Sequence, residues 1–131
     1  MPTELKITKK VPLQNNVLIC SFPGMWHVGT TASAYILAKR RIEEIGYIHS
    51  KHILPQFFVH NGRVVYPVRI FKDLDADFVY IHSETILPSE IIYDVMDLIT
   101  EFVKKNNIRM IVALGGMQAL SQQYPLLSNP H

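Results

Sequence analysis

The sequence predicts an α/β fold of three layers, helix, sheet and helix, built on a mainly parallel sheet with an inserted β-hairpin. Three observations carry this expectation. Val17 to Phe22 and Met110 to Leu114 are continuous apolar runs rather than alternating ones, the pattern of strands covered on both faces. Segments with helical spacing separate these runs. Asn61-Gly62 stands between two short β-prone stretches, a strong short-range hairpin signal.

The elements follow in order. The run Val17 to Phe22 ends at Pro23-Gly24, a strong breaker, and from Thr30 small and apolar residues recur at helical spacing: Ala34, Ile36, Leu37, Ile42 and Ile45. Gly46 reads as the stop of that helix. The hairpin is expected over Phe57 to His60 and Arg63 to Tyr66. Pro67 and the acidic stretch Asp73 to Asp77 break the chain before Phe78 to His82, another β-prone run. Leu87-Pro88-Ser89-Glu90 announces a second helix with Ser89 as N-cap, and Ile91, Ile92, Val95, Leu98, Ile99, Phe102 and Val103 form its wide apolar stripe. Asn106-Asn107 closes it. The last strand ends at Gly115-Gly116, and the tail after Met117 has little periodicity. Three strands covered on both faces need more than two helices, so self-association is expected to hide the remaining surface.

At 131 residues the chain is expected to be one domain. Hydrophobic residues make up 48% and charged residues 18%, enough buried surface to offset ordering entropy. Thirteen basic against eleven acidic residues leave a charge of +2, too weak and scattered a field for nucleic acid as the main partner. The run Lys39-Arg40-Arg41 near the end of the first helix reads as a complement to its dipole. The single cysteine, Cys20, lies in an apolar run and reads as a small buried hydrophobe. The N-terminus lacks a signal-peptide core, and no window approaches the ~18 apolar residues of a membrane span. A soluble cytoplasmic protein without membrane contact is expected.

In a parallel sheet the ligand crevice lies at the carboxyl ends of the strands. The candidate crevice residues are Gly24, Gly29, Thr30, His82, Glu84, Gly115 and Gly116. Gly24, four residues, Gly29 and Thr30 outline a phosphate-binding loop, but Thr30 stands where its lysine belongs and Met25, Trp26, His27 and Val28 crowd the backbone. No nucleotide cofactor is therefore expected, although Thr30 and Thr31 at a helix N-terminus suit a carboxylate or phosphate. Otherwise the glycines permit a tight turn, with Thr30 or a neighbour capping the helix. His49 and His52 read as surface histidines, because no cysteine or acidic partner stands nearby to complete a metal site.

His27, His82 and Glu84 form the only plausible acid-base set. Nothing marks a nucleophile, since Ser83 lacks the Gly-x-Ser-x-Gly elbow. Met25, Trp26 and His27 are the candidate interaction loop. A tryptophan there is either an interface anchor or folded back on its own domain.

The phrase FPGMWHVGTTASAYIL resembles the N-terminal signature of the proteasome assembly chaperone family, and DFVYIHSETILPSEIIYDVMDLITEFVKKNNIRMIVALGGM is similar to the strand, long helix and strand that follow in that family. The resemblance spans most of residues 11 to 118. It implies an α/β/α fold like that of nucleoside phosphorylases without their catalytic groups, and a protein that self-assembles or helps build the proteasome α-ring. The implied partners are a second copy and proteasome α-subunits. Family members run to about twice this length, so the chain corresponds to the N-terminal half, either as a fragment or as a short relative that completes its core by oligomerising, and the tail motif by which some members dock is absent from Asn129-Pro130-His131. The reading is a non-enzymatic scaffold; the alternative is a small-molecule-binding or hydrolytic domain using the strand-end crevice.

Overall fold

Six strands form one sheet in the order β1-β3-β6-β7-β2-β8, comprising β1 (Glu4–Ile7), β2 (Val17–Ser21), β3 (Ile42–His49), β6 (Val68–Asp73), β7 (Phe78–Ser83) and β8 (Met110–Leu114). Strands β4 (Phe58–His60) and β5 (Arg63–Val65) pair as a separate hairpin. The helices are α1 (Val28–Lys39) and α2 (Ser89–Lys105). This is a computed structural model, and it describes residues 3–22, 28–50, 58–60 and 63–114.

The α/β class holds. The strands read from the sequence lie together as the parallel trio β7-β2-β8, in the register Val79, Leu18, Ile111. The sheet as a whole is mixed, because β6, β3 and β1 join β7 through antiparallel pairings. Leu18, Cys20, Val79 and Ile81 point to one face and pack under Ile91, Val95, Ile99 and Phe102 of α2. Ile19, Tyr80 and His82 point to the other, where Ser33 of α1 meets His82. Cys20 is buried as expected, and its thiol is pushed up to about 12 by burial alone, so it is not a reactive thiolate.

Four expectations are corrected. The first helix ends at Lys39, and Ile42, Ile45 and Gly46 belong to β3. It also starts at Val28, two residues before the expected Thr30, which places Gly29 within its first turn rather than in the preceding loop. Asp73 closes a strand instead of breaking the chain, since β6 runs over Val68–Asp73. Ser89 is the first residue of α2, and Pro88 occupies the N-cap with extended dihedrals and no side-chain cap. The closing pair was read correctly: Asn106 caps α2 and Asn107 takes the left-handed conformation that ends it.

Arg40 and Arg41 explain the turn from α1 into β3. They do more than complement the dipole. Arg40 grips Asp73 with Nε to Oδ2 at 2.8 Å and Nη2 to Oδ1 at 3.1 Å, and Arg41 forks onto Asp75 in the same way. The chain is thereby tied to the end of β6 at the point where the helix stops.

Width decides what the helices can cover. Six strands at about 4.8 Å spacing make a face roughly 24 Å across, whereas one helix with its side chains spans about 10 Å. Among the described residues, a single helix on the α2 face therefore leaves a flank open toward β1 and another toward β8.

Candidate functional site

The carboxyl ends of the parallel strands put Ser21, His82 and Leu114 at one level, because Ser21 pairs with both neighbours in register. His82 and Glu84 are two apart at the end of β7 and so reach the same side. His82 Nε2 lies 3.1 Å from Glu84 Oε1, and its Nδ1 lies 3.0 Å from the Ser33 hydroxyl of α1. Arg69 of β6, opposite His82 in the antiparallel register, extends the chain of contacts to Glu84 and Glu44, each at 3.6 Å. Its guanidinium also sits 5.0 Å over the Phe71 ring.

The chemistry of the partners fixes the proton. An ionised Glu84 only accepts, so His82 Nε2–H donates to it and Nδ1 accepts from the Ser33 hydroxyl. Burial holds the His82 pKa below its ordinary value, with Arg69 acting in the same direction and Glu84 opposing. A serine, histidine and carboxylate in line resemble a nucleophilic relay, but Ser33 is only 2% exposed and lies in the second turn of a helix. A nucleophile must reach its carbonyl, with unbonded amides aimed at the oxyanion. The set here instead ties α1 to β7 and β6. Beside it, the Ser21 hydroxyl is buried with no hydrogen-bond partner among the described residues.

Of the acid-base set expected from sequence, the structure brings His82 and Glu84 together. His27 lies outside the described residues, as do Met25, Trp26, Gly24, Gly115 and Gly116. Gly29 and Thr30 are in α1, with nothing described of their side chains. Ser83 serves the local turn: it accepts from the Thr85 amide and donates to the Thr85 carbonyl. Ser33 was not anticipated. Its available signal was a small polar residue on the same helical stripe as the half-buried Ile36 and Leu37.

The buried His82 makes stability depend on pH. Because the folded pKa of His82 lies below the unfolded value of about 6.5, the unfolded chain takes up the proton first as pH falls. This part of stability is present above pH ~6.5 and lost below it. The melting temperature should fall between pH 7 and 5, and His82→Asn should flatten that fall. An unchanged slope in the variant would rule out His82 as its source.

The second feature is the flank of α2 toward β8. Leu98, Glu101 and Lys105 line a cavity with Leu5 and Ile7 of β1, which fixes that side of α2 toward the β1 end of the sheet. Ile92, Met96 and Val103 are spaced for the opposite side and face the β8 end. Ile92 and Met96 are exposed, as is Ile111 of β8, at 46%, on the same face; Met110 is 51% exposed on the other. Tyr93 extends the patch at 82% exposure. Among the described residues the outer edge of β8 pairs with nothing.

The PAC2 family matches the chain over residues 18–128. The uncharacterized protein MJ0106 of Methanocaldococcus jannaschii is 28% identical over 110 residues, which are 84% of this chain and 45% of that protein. Among solved structures, Pyrococcus furiosus PbaA, described as an archaeal homolog of proteasome-assembly chaperone, superposes with a TM-score of 0.78 at 24% identity, covering 88% of this chain and 49% of PbaA. P. furiosus PbaB, described as an archaeal proteasome activator, gives 0.70 at 19% identity, covering 88% and 52%. The chain spans about half the length of these relatives.

Proposed function

Because this chain belongs to the PAC2 family, the proteasome assembly chaperone family anticipated from its sequence, we propose that it is a non-enzymatic scaffold whose partners are proteasome α-subunits and a second copy of itself. The observation that carries this is the apolar strip of Ile92, Tyr93, Met96 and Ile111 beside the edge of β8 that pairs with nothing among the described residues. Monomers rarely leave such a patch next to an unpaired strand, since both favour association. The names of PbaA and PbaB support the choice of the proteasome as partner, with assembly of the α-ring as the step assisted. The buried Ser33 hydroxyl speaks against the hydrolytic alternative, because a substrate carbonyl has no approach to it.

Light scattering on the purified chain, paired with capture of isolated proteasome α-subunits, tests both partners. A mass above that of one chain and retention of α-subunits are expected. Met96→Asp combined with Ile111→Asp should weaken both by at least about tenfold, the effect of placing unpaired charge in an apolar contact. A monomer that retains nothing would sink the scaffold reading.

A further inference from the structure

The opposite flank of α2 is built differently. There the chain after β1 turns back over the sheet, with the amides of Thr8 and Lys9 both donating to the Ile45 carbonyl. Between this segment, β1 and the C-terminal half of α2 lies a cavity of about 420 Å³, within the ~300–1,000 Å³ range of small-molecule sites. Its inner surface is apolar: Leu13, Ile45 and Phe102 are buried, with Leu5 and Leu98 partly so. Its rim is cationic.

Three lysines stand on that rim, Lys9, Lys10 and Lys105. Lys9 is paired with Glu43, whereas Lys10 and Lys105 have no carboxylate partner among the described residues. The one acid lining the cavity is Glu101. Two unpaired cations against one carboxylate favour a single negative charge and disfavour a polyanion such as a nucleotide. Buried apolar side chains lined by exposed lysines suit a ligand that is apolar at one end and charged at the other.

We propose that this cavity binds a compact amphipathic monocarboxylate, such as a medium-chain fatty acid, with its hydrocarbon among Leu13, Ile45 and Phe102 and its carboxylate at Lys10 and Lys105. Bound there, the ligand bridges β1, an edge strand of four residues, and α2. It therefore stabilises the N-terminal segment as well as filling the cavity. The site is separate from the apolar strip at β8, so it stands or falls independently of the scaffold reading.

Decanoate, decanol and decyltrimethylammonium share one tail and differ in charge, and titrating each into the full chain at low ionic strength separates the contributions. Decanoate is expected to bind saturably at one site, to raise the melting temperature and to slow amide exchange over residues 4–13. Lys10→Glu with Lys105→Glu should weaken decanoate about tenfold and leave decanol unchanged. Both lysines are exposed, so the variant keeps its fold, which circular dichroism checks. Equal binding of all three amphiphiles, no saturable binding, or indifference to charge reversal would overturn the assignment. Displacement of decanoate by a tighter apolar peptide with a free carboxyl terminus would replace the small-molecule ligand with a peptide.

Discussion

Asp73→Ala is expected to cost about 3 kcal/mol, a large share of the ~5–15 kcal/mol that holds a typical domain together. The Asp73 side chain is fully buried and receives four hydrogen bonds: two from Arg40, one from the Tyr80 hydroxyl at 2.8 Å and one from the Asp75 amide at 2.9 Å. Removing it leaves the Tyr80 hydroxyl buried without an acceptor, which alone costs ~1–3 kcal/mol. Arg40 is 40% exposed and partly rehydrates, which keeps the total near the lower end for a broken buried pair. A thermal melt should show a midpoint about 10 °C lower. Asp73→Asn keeps the acceptor oxygen and loses the charge, so it should cost clearly less.

The same carboxylate sets the acid limit. The Arg40 hydrogen bond, aided by the Asp75 amide and the Tyr80 hydroxyl, holds its pKa far below the usual carboxylate range against the opposing effect of burial. The unfolded chain therefore takes up the proton first. Stability is full above the unfolded value of about 3.9 and drains away as pH falls below it. In Asp73→Ala that acid-side loss should shrink. A variant that melts like the parent at neutral pH and below would mean that the Arg40 link contributes nothing.

Legibility followed the range of the interaction. The runs of β2 and β8, the antiparallel pair β4-β5 and the core positions of α2 are local patterns that appeared where the residues placed them, although Ile92 of the expected stripe and Met110 and Ile111 of β8, expected to be covered, are exposed. The pairing of His82 with Glu84 was also readable, since residues two apart at a strand end share a side. The boundary after α1 was not. Ile42 and Ile45 continue a helical spacing as well as a strand, and what stops the helix is the grip of Arg40 and Arg41 on aspartates more than thirty residues away. Asp73 looked like a breaker because an acid is costly inside a sheet until its arginine is known. Ser33 entered the site only through the packing of α1 on β7, a contact 49 residues apart in sequence.

Gly46 shows the same limit and gives the second large effect. Read locally it is a helix stop; in the fold it is the point where β1 crosses closest to β3, opposite Ile7 and just past an irregularity in the β3-β6 register. A Cβ at this position would overlap the Lys6 carbonyl oxygen and sit 3.1 Å from Ile7 Cδ1 and 3.3 Å from Ile7 Cα. The nearest obstructing atom, the Lys6 carbonyl oxygen, is backbone, so no rotamer change relieves the clash. Overpacking of this kind costs ~1–3 kcal/mol when the structure stays closed. Here a cheaper response exists, because β1 is a four-residue edge strand with Ile7 exposed. The cost of Gly46→Ala is then capped by the free energy that docks β1, as local opening always caps strain. The expected result is a midpoint only a few degrees lower, together with loss of amide protection over residues 4–9, including the Thr8 and Lys9 bonds to the Ile45 carbonyl. Because β1 walls the cavity beside α2, decanoate binding should disappear in the same variant while self-association through the β8 flank persists. Full protection of β1 in Gly46→Ala would show that the sheet absorbs the extra methyl group and that the two strands are less closely apposed than their pairing requires.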